Sequence, residues 1–190
     1  KFTEAHKLFE LTLKTDEIDL DVAFAGRFAT FDYAACRTAG NLAPSFQEIM
    51  TLGTNLPYNH QQQALTTKGR VRLAGGDTVE IDGMGYRDHS WVMRTDHIGE
   101  THSWCGFNFP SRAFGAKIIS STFRPGLIAR VGYMVGVDGP RALKSLATTY
   151  SGELPDGLPE TIVHELVDVF GKTYTLESSV ANRHSHVPLV

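Results

Sequence analysis

The sequence predicts an all-β fold, an antiparallel lipocalin-like β-barrel, and three observations carry that expectation. Short alternating runs recur along the chain, clusters of Gly, Pro and Asp separate them, and helical periodicity is confined to one stretch. Lys7–Thr15 alternates, with Phe9, Leu11 and Leu13 opposed to Leu8, Glu10, Thr12 and Lys14. Ile18–Tyr33 reads as two further runs bent near Gly26. The clearest hairpin is Gly69–Gly83. There Val71 and Leu73 alternate with Arg70 and Arg72, Gly75-Gly76-Asp77 supplies the turn, and Val79 and Ile81 return.

Beyond the turn the returning strand runs on as Val79–Trp91. Thr101–Phe109, Ala116–Phe123, Ile128–Val137, Arg141–Tyr150, Glu160–Phe170 and Thr173–Val180 follow, giving about ten strands in all. Gly139-Pro140, Pro155-Asp156-Gly157 and Gly171-Lys172 punctuate them. Only Ala43–Leu52 reads as a helix, with Pro44 near its start and Phe46, Ile49 and Met50 on one side. So many antiparallel strands with so little helix call for a closed barrel or a sandwich, because an open sheet of this size leaves exposed edges.

The 190 residues fit one domain able to bury a substantial core. A formal charge of −3 and a pI near 6.2 argue against nucleic acid or an anionic membrane as the main partner. No apolar run approaches the roughly 18 residues of a membrane span, and no signal peptide opens the sequence. The chain starts at Lys1 without a methionine, which reads as a fragment or a processed product. Cys36 and Cys105 form no disulfide framework and read as two buried thiols in a reducing cell, which favours the cytoplasm.

The segment that stands apart is Gly83-Met84-Gly85-Tyr86-Arg87-Asp88-His89-Ser90-Trp91. It continues a strand, yet beyond Ile81 the apolar alternation gives way to dense polarity. Regular pleating sets Arg87, His89 and Trp91 on one face and Tyr86, Asp88 and Ser90 on the other. Whichever face turns inward takes ionisable groups with it, and burying them costs several kcal/mol unless they are paired. Gly83 and Gly85 share the Arg87 face, where missing side chains leave room for a ligand or host a bulge.

His89-Ser90-Trp91 is echoed by His102-Ser103-Trp104, thirteen residues later. A hairpin pairing Trp91 with His102 and His89 with Trp104 would gather all four rings on one face. Tyr58, His60, Gln62 and Gln63 precede the Gly69 hairpin and read as an exposed polar strand, or as a cluster that reaches the same mouth. Two readings stay open. Arg87, Asp88 and His89 form an ion-pair network that only fixes the strand, or Asp88 or His89 exchanges protons within an apolar cavity, where burial raises a carboxylate's pKa. A metal site from His89, His97, His102, His184 and His186 is disfavoured. The His184-x-His186 pair lacks a following carboxylate ligand at fixed offset, so no metal is expected. No nucleophile elbow, phosphate-binding glycine loop or dinucleotide fingerprint is present, and no cofactor is expected.

Gly69 and Val71, then Gly83-x-Gly85-x-Arg87-Asp88-His89-Ser90-Trp91 and Arg94, resemble a bacterial family related to the hydroxyneurosporene synthase (carotenoid 1,2-hydratase) and AttH-like superfamily. The resemblance covers roughly Tyr58–Val180 and rests on the R-D-H-S-W string. It implies two lipocalin-like barrels in tandem, this chain being mainly the second: one barrel domain over 1–190, with 1–57 including the junction to a missing first barrel. It also implies an enzyme that protonates, hydrates or cyclises isoprenoid or polyketide substrates. Asp88 would be the acid, with Tyr86, His89 and Trp91 lining the pocket. One departure is Val92, where the family commonly has glycine.

The expected function is therefore a cofactor-independent lyase or isomerase acting on a hydrophobic terpenoid, steroid or polyketide-like molecule. Asp88, His89 and Tyr86 are the catalytic candidates. Arg87, Trp91, His102, Trp104, His60 and Gln62 are the substrate-binding ones. The alternative is a non-catalytic carrier for an apolar ligand. A second barrel or a homodimer partner is expected in either case.

Overall fold

The computed structural model describes residues 2–4, 7–37, 59–91, 100–121, 125–152 and 159–179. Within them the chain forms two antiparallel sheets of six strands each. The first comprises β1 (Phe2–Glu4), β2 (Leu8–Lys14), β3 (Ile18–Gly26), β4 (Phe31–Asp32), β5 (Asn59–Leu73) and β6 (Thr78–Trp91). The second comprises β7 (Glu100–Phe109), β8 (Arg112–Ser121), β9 (Ile128–Gly136), β10 (Gly139–Ser151), β11 (Thr161–Asp168) and β12 (Thr173–Ser179). Helix among the described residues is limited to a 3-10 turn at Tyr33–Arg37. The fold is all-β and lipocalin-like, with a six-stranded sheet curled as a half-barrel. The helix expected at Ala43–Leu52 lies outside the described residues.

β5 is the spine of the first sheet. On one edge it pairs with β6 from Asn59↔Trp91 to Arg72↔Thr78, the hairpin that the Gly75-Gly76-Asp77 turn predicts. Its other edge takes β3 between Leu65 and Leu73, then β4 at Gln61 and Gln62. Gly69 lies at φ +151°, and a Cβ there would run into the Asp21 carbonyl oxygen of β3, so only glycine lets these two strands close.

Between β3 and β4 the chain steps off the sheet, and Arg27 reaches across to the second one. Its guanidinium donates to the carbonyls of Phe109 (2.7 Å) and Pro110 (3.1 Å) and to Asn108 Oδ1 (3.2 Å). That clamp fixes the β7–β8 turn beneath the first sheet.

Side chains alternate in register, and this decides what each face meets. Phe31, Tyr33 and Ala64 pack against Ala113, Ile119, Val131, Tyr133 and Val135 of β8 and β9, forming the core between the sheets. A second core lies on the opposite face of β8 and β9, where Phe114, Ala116 and Met134 meet Leu143, Leu146, Leu166 and Leu176. The register slips between Leu143 and Ser145 as β10 leaves β9 for β11, and the bulge lets β10–β12 fold back over that face. With both faces covered, Val131–Gly136 is buried throughout, which explains its continuous apolar run.

Two titratable groups are sealed into the curled sheet. His164, 1% exposed, bonds Thr148 through Nδ1 (2.8 Å), and burial pushes its pKa down. Burial alone would raise the Asp168 carboxyl. The amides of Lys172 and Phe170, the Tyr174 hydroxyl and the Arg141 guanidinium outweigh it and hold that carboxyl below its ordinary value. In both cases the folded state binds fewer protons than the unfolded chain, so acid is destabilising.

His164 acts first. Its contribution is constant above the unfolded value of about 6.5 and erodes below it, by at most about 1.4 kcal/mol per pH unit. We expect the urea midpoint to fall between pH 7.5 and pH 5.5 in the native protein and to fall less in His164→Leu. Equal falls would remove His164 from the acid response.

Candidate functional site

The pairing of β5 with β6 sets Gln62 opposite Asp88, Ala64 opposite Tyr86 and His60 opposite Ser90. Directly paired residues share a face, so His60, Gln62, Tyr86 and Asp88 all turn toward the second sheet. His60 is 2% exposed and its Nε2 is bonded to Asp88 Oδ1, while the Asp88 side chain keeps 37% of its surface in solvent. A carboxylate can only accept here. His60 Nε2 is therefore the donor of this bond.

Two aromatic rings enclose the imidazole. Tyr33 stacks on it at 4.5 Å between centroids and 13° between planes, and Trp104 meets it edge-on at 6.4 Å. Tyr33 also donates its hydroxyl to Gln62 Oε1 (3.0 Å). Gln62 Nε2, on a side chain with no exposure, is left without a hydrogen-bond partner. Trp104 remains 47% exposed and stands at the outer rim with Asp88.

Beneath the pair lies a phenol couple. Tyr133 and Tyr86 hydroxyls are 2.7 Å apart, and Tyr86 donates to the Phe114 carbonyl at 2.7 Å. Tyr86 has one proton to give, so Tyr133 must be the donor between them. Burial pushes the Tyr86 hydroxyl up to about 12, the bond from Tyr133 opposing it. Tyr133 is pushed up further, by burial and then by Tyr86, Tyr33 and the Asp88 charge. Both phenols are neutral near pH 7, and the Tyr86 hydroxyl is already committed on both sides.

Glycine makes this stack possible. Gly106 pairs with Gly115, and Gly115 with Tyr133. A Cβ at Gly106 would lie 2.8 Å from the Tyr86 ring, and one at Gly115 would overlap the Tyr133 ring and approach Gln62 Oε1 to 2.9 Å.

The other expected residues lie elsewhere. Arg87, His89 and Trp91 point to the opposite face of the first sheet. There Arg87 sits over the Phe9 ring at 5.0 Å and donates to His89 Nδ1 (3.1 Å), and His89 lies 4.8 Å from Trp91. Gly83 and Gly85 share that face, so the space they leave is not beside Asp88. At Gly85, moreover, a Cβ would meet Thr67 Oγ1 at 2.6 Å.

The four-ring hairpin is corrected as well. Trp91 pairs with Asn59 and His89 with Gln61, whereas His102 pairs with Ile119 and Trp104 with Lys117. β6 pairs with β5 through the tight turn at Leu73–Thr78 and β7 with β8 through the turn at Pro110-Ser111, the shortest closures open to each, and among the described residues the second edges of β6 and β7 do not pair with one another. Of His102, only the backbone pairing is described, and His97, His184 and His186 lie outside the described residues. Among the described residues no group of three or more His, Cys, Asp or Glu side chains is arranged to hold a metal ion.

The profile of the family described as Domain of unknown function (DUF7064) matches residues 1–189. The chain belongs to this family. No curated protein and no solved structure matched it.

In this DUF7064 domain three neighbours of the candidate site, Tyr33, Tyr133 and Lys117, are not among the residues that the sequence singles out. Tyr33 closes the run Ile18–Tyr33 and gives no local hint that it caps His60. Lys117 is 7% exposed on the inner face of β8, opposite Trp104 and Val131. A lone cation inside Ala116–Ile119 was its available signal. Cys36 is no nucleophile in waiting. Burial raises its thiol to about 12, and its Sγ is bonded to the Gly132 carbonyl (3.7 Å).

Proposed function

We propose that this domain is a cofactor-independent lyase or isomerase that moves a proton on a hydrophobic terpenoid, steroid or polyketide-like molecule, through Asp88 backed by His60. The observation that carries the reading is the bond between a buried imidazole and a partly exposed carboxylate at an aromatic rim. Such a pair sets a proton-accepting carboxylate beside a donor that stabilises its charge. The Asp88 carboxylate takes a proton from one substrate carbon and returns it at another, while His60 donates through Nε2 and stabilises the carboxylate charge. Trp104, 47% exposed, offers its ring to an apolar skeleton, and to cationic charge that develops on protonation. The R-D-H-S-W resemblance to hydroxyneurosporene synthase relatives supports the reaction class. His60 takes the assisting place that the sequence had offered to His89.

The second reading is a non-catalytic carrier, favoured by the commitment of Tyr86 and Tyr133 to one another. Native mass spectrometry of the purified protein separates the two. A co-purified apolar molecule returned unchanged after prolonged incubation supports the carrier. A pair of species differing by water, or isomers in equilibrium, supports the enzyme. Finding neither a bound nor a bindable apolar molecule overturns both.

A partner belongs to the same proposal. On the face of the first sheet away from His60, Leu11, Leu13, Leu73 and Val79 are 50%, 45%, 62% and 59% exposed. A sheet with one charged face and one apolar face covers the apolar one in its working assembly, here with a second barrel or a second copy. Cys36 and Cys105 are both free thiols, which fits a reducing compartment such as the cytoplasm.

A further inference from the structure

At the far end of the second sheet, away from His60, a cleft of about 320 Å³ opens at the β9–β10 turn. Phe28, Pro110, Met134 and Val137 give it apolar walls, and Arg112 and Asp138 are its charged members. The volume is at the lower end of those that hold small ligands. We infer that this cleft binds a small amphiphile with a carboxylate head, the head on Arg112 and the chain along Phe28, Met134 and Val137.

Arg112 touches the Met134 sulfur (3.8 Å) and lies over the Tyr174 ring (5.8 Å), and it makes no ion pair among the described residues. A half-buried guanidinium normally finds a carboxylate, because its forked donors match one bidentately. The carboxylate in the same cleft, Asp138, is already bonded to Arg141, and Arg141 also stands 3.9 Å from the buried Asp168. Arg27 comes in from the first sheet to the carbonyls of Phe109 and Pro110, and Lys172 lies over the far side of the cluster at 5.3 Å from the Tyr174 ring.

Four cations thus surround two carboxylates, in a chain whose formal net charge is −3. The surplus is local and sits beside apolar walls, which is the complement of a fatty carboxylate rather than of a naked anion. Val137, at the lip, is 96% exposed, and an apolar chain would cover it.

The test uses sodium octanoate, with 1-octanol and sodium acetate as comparisons, read from amide chemical shifts of the whole chain. Octanoate should bind saturably, with the largest shifts at Gly136 and Val137, and roughly tenfold more tightly than either comparison. Arg112→Met, which keeps the packing on Tyr174, should weaken octanoate about tenfold and leave octanol unchanged. Val137→Glu sits on the surface, where it cannot disturb the core, and should weaken octanoate several-fold by charge alone. Acetate binding as tightly as octanoate, octanol binding as tightly as octanoate, or octanoate affinity unmoved by Val137→Glu would each overturn the proposal.

Discussion

Asp88→Asn should lower turnover by roughly 10²–10⁴-fold, the usual range for a lost general acid or base, while substrate affinity changes by no more than about threefold. The amide is isosteric and keeps an oxygen to accept from His60 Nε2, so the imidazole stays seated between Tyr33 and Trp104. What disappears is the carboxylate that takes and returns the proton. Binding energy from the apolar walls is indifferent to that change, so kcat and kcat/KM should fall together. His89→Asn serves as the control: on the opposite face with Arg87 and Trp91, it should leave turnover within about twofold. Should His89→Asn reduce turnover as far as Asp88→Asn does, the proton path runs through the other face and the site is misplaced.

Gly115→Ala should place a damaging methyl in the core. The added carbon meets the Tyr133 ring, and that ring has nowhere to go. It stacks on Phe31 at 4.3 Å and 15°, meets Tyr33 edge-on at 5.9 Å, and is held by its hydroxyl to Tyr86. Overpacking of this kind costs about 1–3 kcal/mol. For a chain of this length that is a fall in Tm of roughly 2–4 °C per kcal/mol. Gly83→Ala makes the contrast, since nothing lies within 4 Å of the new carbon. It should leave Tm unchanged or raise it slightly, by reducing the freedom of the unfolded chain. Calorimetry of the two variants decides the point, and similar melting temperatures would show that the Gly106–Gly115 floor is not a constraint.

Much of this fold was legible because a half-buried strand writes its own period. Phe9, Leu11 and Leu13 do share a face, and the turn at Gly75-Gly76-Asp77 does start the β5–β6 hairpin. The polar Asn59–Gln63 stretch was harder. It reads as an exposed cluster before the hairpin, yet Gln62 and Gln63 are buried. Their amides find the Tyr33 hydroxyl and the Phe28 carbonyl, partners that only the folded chain brings near.

The site was legible in part. Asp88, Tyr86, His60, Gln62 and Trp104 do come together, but the partner of Asp88 is 28 residues away rather than next to it. Carrying the hairpin register onward from Arg72↔Thr78 would have placed Gln62 opposite Asp88 and His60 one step further on. The cross-sheet neighbours, Tyr33, Tyr133 and Lys117, were beyond such reasoning. They come from elements whose approach depends on tertiary packing, and no periodicity encodes it.

The proposed chemistry requires the Asp88–His60 pair to exchange a proton with an apolar substrate. Incubating the protein in D₂O with a panel of unsaturated terpenoids and polyketide-like ketones, and following deuterium gain by mass spectrometry, reads that exchange whatever the final product is. The prediction is deuterium at carbon in at least one compound with the native protein, and none above background with His60→Gln or Asp88→Asn. Deuterium gain at the same rate in all three proteins would contradict it.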